Sequence, residues 1–186
     1  MKLILIQGLP ATGKTTLGEK IAEALHLPFF SRDAYKELLF DTFAESEQTV
    51  AWSRKLGAAS FELIYLTIET ILKSGNDCVV ETYWDAKFAE PRFRELFERY
   101  DTQCVQIFCK ANVEELAKRF ENRSNTTRHA AHMDTQRIET GYLTHEFDTN
   151  NERNRPLDLS CKLIEVDTTD FEKIDVQQII EEIRKS

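Results

Sequence analysis

Gly8, Gly13, Lys14 and Thr15 stand in the stretch "GLPATGKTT", which has the pattern G-x4-G-K-[ST]. At ordinary glycine usage such a string arises by chance roughly once in 100 chains of this size. Its chemistry is that of an anion cradle. Glycines let the backbone curl until successive N–H groups point into one concavity, and a helix starting after Gly13 adds the positive end of its dipole. The expected cradle is Gly8, Leu9, Pro10, Ala11, Thr12, Gly13, Lys14, Thr15 and Thr16. Lys14 would reach the β- and γ-phosphates of a nucleoside triphosphate, and the Thr15 hydroxyl would ligate Mg²⁺. The plain alternative is a glycine-containing turn between a strand and a helix.

Three further groups of residues could share that chemistry. Glu81 closes the run "CVVE" and is a second candidate for the metal, although carboxylates at strand ends are common. Asp33 heads a predicted helix with Lys36 three residues on, hence on the same face. Alone, Asp33 reads equally as a helix cap or as a general base. Residues 118 to 137 carry Lys118, Arg119, Arg123, Arg128 and Arg137 against only Glu121 and Asp134. With the polar run Asn122 to Thr127 at its centre, this stretch reads either as a solvated charged helix and loop or as a lid over transferring phosphates. His129, His132 and Asp134 have the loose spacing H-x2-H-x-D without a third strong ligand, so they are expected to serve hydrogen bonding rather than a metal.

These residues need elements to hold them. Leu3 to Ile6 is a continuous apolar run, the mark of a strand buried on both faces. Leu17, Ile21, Ala24 and Leu25 then recur at helical spacing up to Pro28. A brief strand at Pro28 to Phe30 precedes a second helix in "SRDAYKELLF", and a long helix runs from Val50 to Leu72. "CVVE" (78–81) and "CVQIFC" (104–109) read as strands separated by a charged helix around 86–100. Residues 112–122 are helical again, "KLIEV" (162–166) is a last strand, and Val176, Ile179, Ile180 and Ile183 mark a closing amphipathic helix. Strands alternating with helices imply crossovers, a mainly parallel sheet and helices on both faces.

Composition narrows the classes. The 186 residues, 41% hydrophobic and 30% charged, suit one domain with a sizeable core. No apolar run approaches the roughly 18 residues of a membrane span, and Leu3 to Ile6 is too short for a secretory signal; a cytoplasmic location is the default. The net charge of −8 disfavours broad nucleic-acid binding, while leaving room for a small basic groove. Cys78, Cys104, Cys109 and Cys161 form no CxxC pair and mostly sit in apolar runs. Buried free thiols are therefore expected, not disulfides or zinc ligands. A GTPase would need N-K-x-D, which is absent, and the chain is too short for an AAA+ motor with a helical lid domain.

The sequence resembles the P-loop kinases related to phage-type polynucleotide kinase, chloramphenicol phosphotransferase and zeta toxins. The resemblance rests on "LILIQGLPATGKTTLGEKIA", "FFSRDAYKELLF", "CVVETYW", "ELAKRFENRSNTTRHAAH" and "IEVDTTD". It implies a three-layer α/β P-loop fold over 1–186, with a five-stranded parallel sheet and an arginine-bearing lid at about 118–137. It also implies that Asp33 orients an acceptor hydroxyl, that Lys36 stands where relatives carry an arginine steering the acceptor, and that ATP and Mg²⁺ are the cofactors. Of the lid arginines, Arg119 and Arg128 lead, followed by Arg123. Adenine is expected between Arg119 and the loop Asp167 to Thr169, and the acceptor beside the long helix and Tyr83, Trp84 and Asp85. A small-molecule acceptor is the leading expectation. A 5′-hydroxyl polynucleotide or nucleoside kinase, or a regulatory ATP-binding module, are the alternatives. Nothing in the sequence fixes the oligomeric state.

Overall fold

A computed structural model describes residues 1–43, 49–126, 128–134 and 154–186. The strands are β1 (Lys2–Gly8), β2 (Phe29–Ser31), β3 (Cys78–Glu81), β4 (Gln103–Lys110) and β5 (Lys162–Asp167). Between and after them lie α1 (Lys14–Leu25), α2 (Arg32–Phe43), α3 (Val50–Lys73), α4 (Ala86–Tyr100), α5 (Val113–Ser124) and α6 (Val176–Arg184). Each expected element is present, with no end moved by more than three residues. The sheet order is β2-β3-β1-β4-β5, and every pairing is parallel.

The alternation of β1 shows why there are three layers. Successive strand side chains point to opposite faces. Leu3 and Leu5 join Ile64, Ile68 and Leu72 of α3 and Phe93 of α4 on one side. Ile4 and Ile6 join Leu17 and Ile21 of α1 and Ile179 and Ile183 of α6 on the other. All four β1 residues are fully buried, which is what a continuous apolar run in a central strand requires. Among the described residues no helix is long and apolar enough to cross a membrane.

The cysteine expectation needs correction. Cys78 and Cys109 are free and buried, and burial pushes both thiols up to about 12. Cys104 and Cys161, however, form a disulfide. The reason is register. Val105 pairs with Lys162 across β4 and β5, so the residues just before them face each other with Cα atoms 4.8 Å apart, the normal spacing of neighbouring strands. Sequence spacing carries no trace of that alignment.

Candidate active site

Parallel pairing brings the carboxyl ends of β1, β2 and β3 to one edge, where open α/β sheets bind ligands. Ile6 lies beside Glu81, and Glu81 beside Ser31. The cradle comes directly after β1. An added Cβ at Gly8 would strike the Cys109 carbonyl of β4, and one at Gly13 would strike the Phe171 ring. Gly13 adopts φ 73°, a left-handed conformation that glycine takes without penalty. Leu9 packs under Leu116 and Phe120 of α5, and the Thr12 hydroxyl donates to the Leu9 carbonyl at 2.8 Å. The loop is thus fixed from below while its concave side stays open.

Helix starts differ in a telling way. Thr49, Asp85, Asn112 and Asp175 each cap their helix with a side-chain oxygen. At α1 no side chain caps the first turn, which also carries no acidic residue. Its N–H groups and dipole are left to an anion, as a phosphate cradle requires. Lys14 Nζ lies 3.4 Å from the Leu9 carbonyl oxygen and 3.6 Å from Glu81 Oε1. The Thr15 and Ser31 hydroxyls donate to Glu81 Oε2 at 3.0 and 2.9 Å. Three hard oxygen donors therefore meet at one point, a set that suits Mg²⁺, which takes one or two carboxylates and completes its shell with phosphate and water. Thr16 is exposed on α1.

Across a cavity of about 290 Å³, Asp33 faces this cluster. Lys14, Glu81, Asp33, Lys36, Arg123 and Arg128 all line it. Helix α2 begins at Arg32, so Asp33 lies inside the first turn rather than at the cap position. Its oxygens are held by Arg32 Nη1 and by Arg128 Nη2, both at 3.0 Å. Burial opposes ionisation of Asp33, but the cationic surroundings, Arg128 and Arg32 with Lys14, outweigh it and hold the carboxyl well below the usual range. The side chain stays 34% exposed, open to a ligand. Lys36 is buried and donates to Ser53 Oγ at 2.8 Å, while Ser53 donates to the Ala131 carbonyl at 2.7 Å.

The segment after α5 docks on α2 as a ladder. Asp33, Glu37 and Asp41 recur every four residues, hence on one face. They meet Arg128 at 3.0 Å, His132 at 2.8 Å and His129 at 3.2 Å, respectively. Arg128 also bonds Asp134 at 3.0 Å, which Arg123 approaches at 3.5 Å. Burial, reinforced by Arg128, Lys36 and Arg32, keeps His132 neutral against the pull of Asp33. Burial, followed by the Arg128 charge, lowers the Arg123 pKa.

The three arginines expected in a lid therefore part company. Arg123 and Arg128 reach the cavity. Arg119 does not: it donates to the Thr168 and Thr169 carbonyls at 2.9 and 2.8 Å and lies 5.4 Å from the Phe171 ring centroid. It joins α5 to the loop after β5, where the adenine was expected. Tyr83 and Asp85 line the cavity as expected, whereas Trp84 turns into the core against Tyr65 and Phe93. Thr127, Arg137 and the rest of 135–137 lie outside the described residues. Ser31 and Arg32 went unread in the sequence, whereas His132, expected to serve hydrogen bonding, bonds Glu37 at 2.8 Å. The signal for the first two was adjacency, since "SRD" places a hydroxyl and a cation directly before Asp33.

The family profile of an AAA domain (AAA_33) matches residues 3–146. No curated protein matches the sequence significantly. A crystal structure from Chloroflexus aurantiacus, provisionally described as a kinase, shares 32% identity over 99% of this chain and 94% of its own, with a TM-score of 0.78. A sugar kinase from Janibacter (14% identity, 100% and 93% covered, TM-score 0.57) and a shikimate kinase from Bacteroides thetaiotaomicron (16%, 98% and 96%, 0.53) share the fold. The profile runs from β1 past the end of α5. Beyond its end, β5, a short turn and α6 complete the sheet layers among the described residues. A profile match over most of the chain, joined to 32% identity along nearly all of it, makes this protein a member of the AAA domain family with the α/β fold of P-loop kinases.

Proposed function

We propose that the protein transfers the γ-phosphoryl group of ATP to a hydroxyl of a small-molecule acceptor. One observation carries this reading: Lys14 and Glu81, beside the glycine loop, line the same cavity as the accessible carboxylate of Asp33. The kinase description of the Chloroflexus relative supports it. So does the resemblance to polynucleotide kinase, chloramphenicol phosphotransferase and zeta toxins, which places an acidic residue at Asp33. The working unit is one domain over 1–186 with a lid at about 118–137.

In this reading Gly8 to Thr16 bind the phosphates through backbone N–H groups and Lys14. Thr15, Glu81 and Ser31 would hold Mg²⁺, which when bound neutralises charge on the β- and γ-oxygens. Asp33 accepts a hydrogen bond from the acceptor hydroxyl. A carboxylate held so far below neutrality is a weak base, so it orients the hydroxyl rather than stripping it beforehand, which a loose phosphoryl-transfer transition state tolerates. Arg123 and Arg128 stabilise charge on the transferring group and exclude water. Lys36 positions the lid through Ser53, and Arg119 shapes the adenine side.

The test is incubation with ATP and Mg²⁺ and a panel of small hydroxyl compounds plus short 5′-hydroxyl oligonucleotides. The expected result by mass spectrometry is a small molecule heavier by one phosphoryl group. Transfer to oligonucleotides alone would make the protein a polynucleotide kinase. ATP turnover indifferent to every acceptor would make it a regulatory module.

A further inference from the structure

A second cavity, of about 490 Å³, lies between α3 and α4. Phe61 and Asp85 line both cavities, so the two spaces meet at a shared wall. Their characters differ. The first is lined by lysines, arginines and carboxylates, whereas the second is walled by Phe61, Tyr65, Trp84, Phe88 and Pro91. Two of the charges at its rim pair with each other. Arg92 makes two bonds to Glu62, at 2.7 and 2.9 Å, and stacks over the Tyr65 ring at 3.8 Å. Trp84 is buried, yet its indole Nε1 has no partner among the described residues, where a buried indole N–H normally finds one. Phe88 stands 63% exposed at the edge.

We propose that this second cavity selects the acceptor, and that the acceptor is an alcohol carrying an apolar, ring-sized group seated between α3 and α4 with its hydroxyl at Asp33. The inference rests on the phosphotransferase reading. Space argues for it. The first cavity, about 290 Å³, must also take the transferring phosphoryl group, so a larger acceptor needs further room, and the second cavity adjoins it at Phe61 and Asp85. Chemistry decides what extends. A polyol arm there would lose water against aromatic walls that return few hydrogen bonds. An aryl arm would bury apolar surface against rings, with gain.

Ala58 is exposed on α3 and lines the second cavity, so Ala58→Trp fills it from the rim without touching the phosphate cradle or Asp33. The probes are 2-phenylethanol and tryptophol against glycerol and ribitol. Binding is measured by calorimetry with a nonhydrolysable ATP analogue and Mg²⁺, and transfer is measured with ATP. The aryl alcohols are expected to bind the parent at least about tenfold more tightly than the polyols. Ala58→Trp should erase that preference at unchanged nucleotide affinity; Ala58→Leu, a milder filling that serves if the larger one fails to fold, should weaken it. Equal or better binding of polyols, or an aryl preference that survives both fillings, overturns the proposal. Aryl-selective binding without transfer to any alcohol keeps the cavity as a ligand site and sinks the phosphotransferase reading. Transfer to polyols without aryl preference does the reverse.

Discussion

Glu81 and Asp33 are both carboxylates gripped by cations in one cavity, but they are held by different means. Glu81 is 3% exposed, and its partners are Ser31 at the end of β2 and Lys14 and Thr15 in the first turn of α1. Sheet pairing sets Glu81 beside Ser31, and the loop anchored by Leu9 under α5 sets the start of α1. Asp33 is held by its neighbour Arg32 and by Arg128, 95 residues away. That second contact exists only when the segment after α5 sits on α2. The Glu81 side is therefore built from strand ends and the start of α1, the more exact kind of support for a site, while the Asp33 side is assembled by docking.

Four variants test that contrast. Lys14→Ala is expected to reduce transfer to background. The fold should survive, because Glu81 keeps two hydroxyl donors; near-parental turnover would remove the cradle from the chemistry. Asp33→Asn keeps shape and should lower turnover by about 10²- to 10⁴-fold with ATP affinity within about twofold. If turnover persists in that variant, Asp33 is only a docking residue for the lid.

Arg128→Met removes one hold on Asp33 and one on Asp134. A turnover loss of about 10²-fold is expected, together with faster hydrogen exchange at 128–134 and unchanged exchange at 8–16. Equal acceleration in both stretches would abolish the distinction between a built side and a docked side.

The smallest effect concerns pH. Folded His132 is held neutral by burial and nearby cations, whereas an unfolded imidazole takes up a proton below about 6.5. The unfolded chain then binds the extra proton, so stability falls as pH drops below that point, by up to about 1.4 kcal/mol per pH unit. Glu37, raised chiefly by burial, acts in the opposite sense just above the ordinary carboxylate range. Asp33, whose pKa is lowered, contributes stability above pH of about 4 that is lost only in stronger acid. The clean readout is thus the difference between parent and His132→Gln in urea unfolding from pH 5 to 7. A difference independent of pH would show that His132 is not held neutral.

The same contrast governs what could be read in advance. The sheet was legible because a buried strand writes itself as an apolar run, and the cradle because glycine spacing and Lys14 are local. Asp33 was visible as a helix-start carboxylate, but its role came from resemblance. Arg128 was legible as a lid arginine and His132 as a hydrogen-bonding residue, but the partners of neither were. No local rule says that residues 128 to 132 will meet Asp33, Glu37 and Asp41, since the pairing depends on where α5 ends. Arg119 and Arg123 are one turn apart on α5, and long side chains from adjacent turns reached opposite sides of the site.

The bond between Cys104 and Cys161 has a consequence for the integrity of the chain. It makes one covalent ring of everything from the start of β4 through α5 to the start of β5, its ends 57 positions apart in sequence. Closing a ring of that length removes conformational freedom from the unfolded chain worth about 4 kcal/mol in the chain-entropy account. A protease that cuts once anywhere inside the ring releases nothing. The last strand and helix stay tethered to the phosphate-binding half, and the two pieces separate on a gel only after a reductant opens the bond.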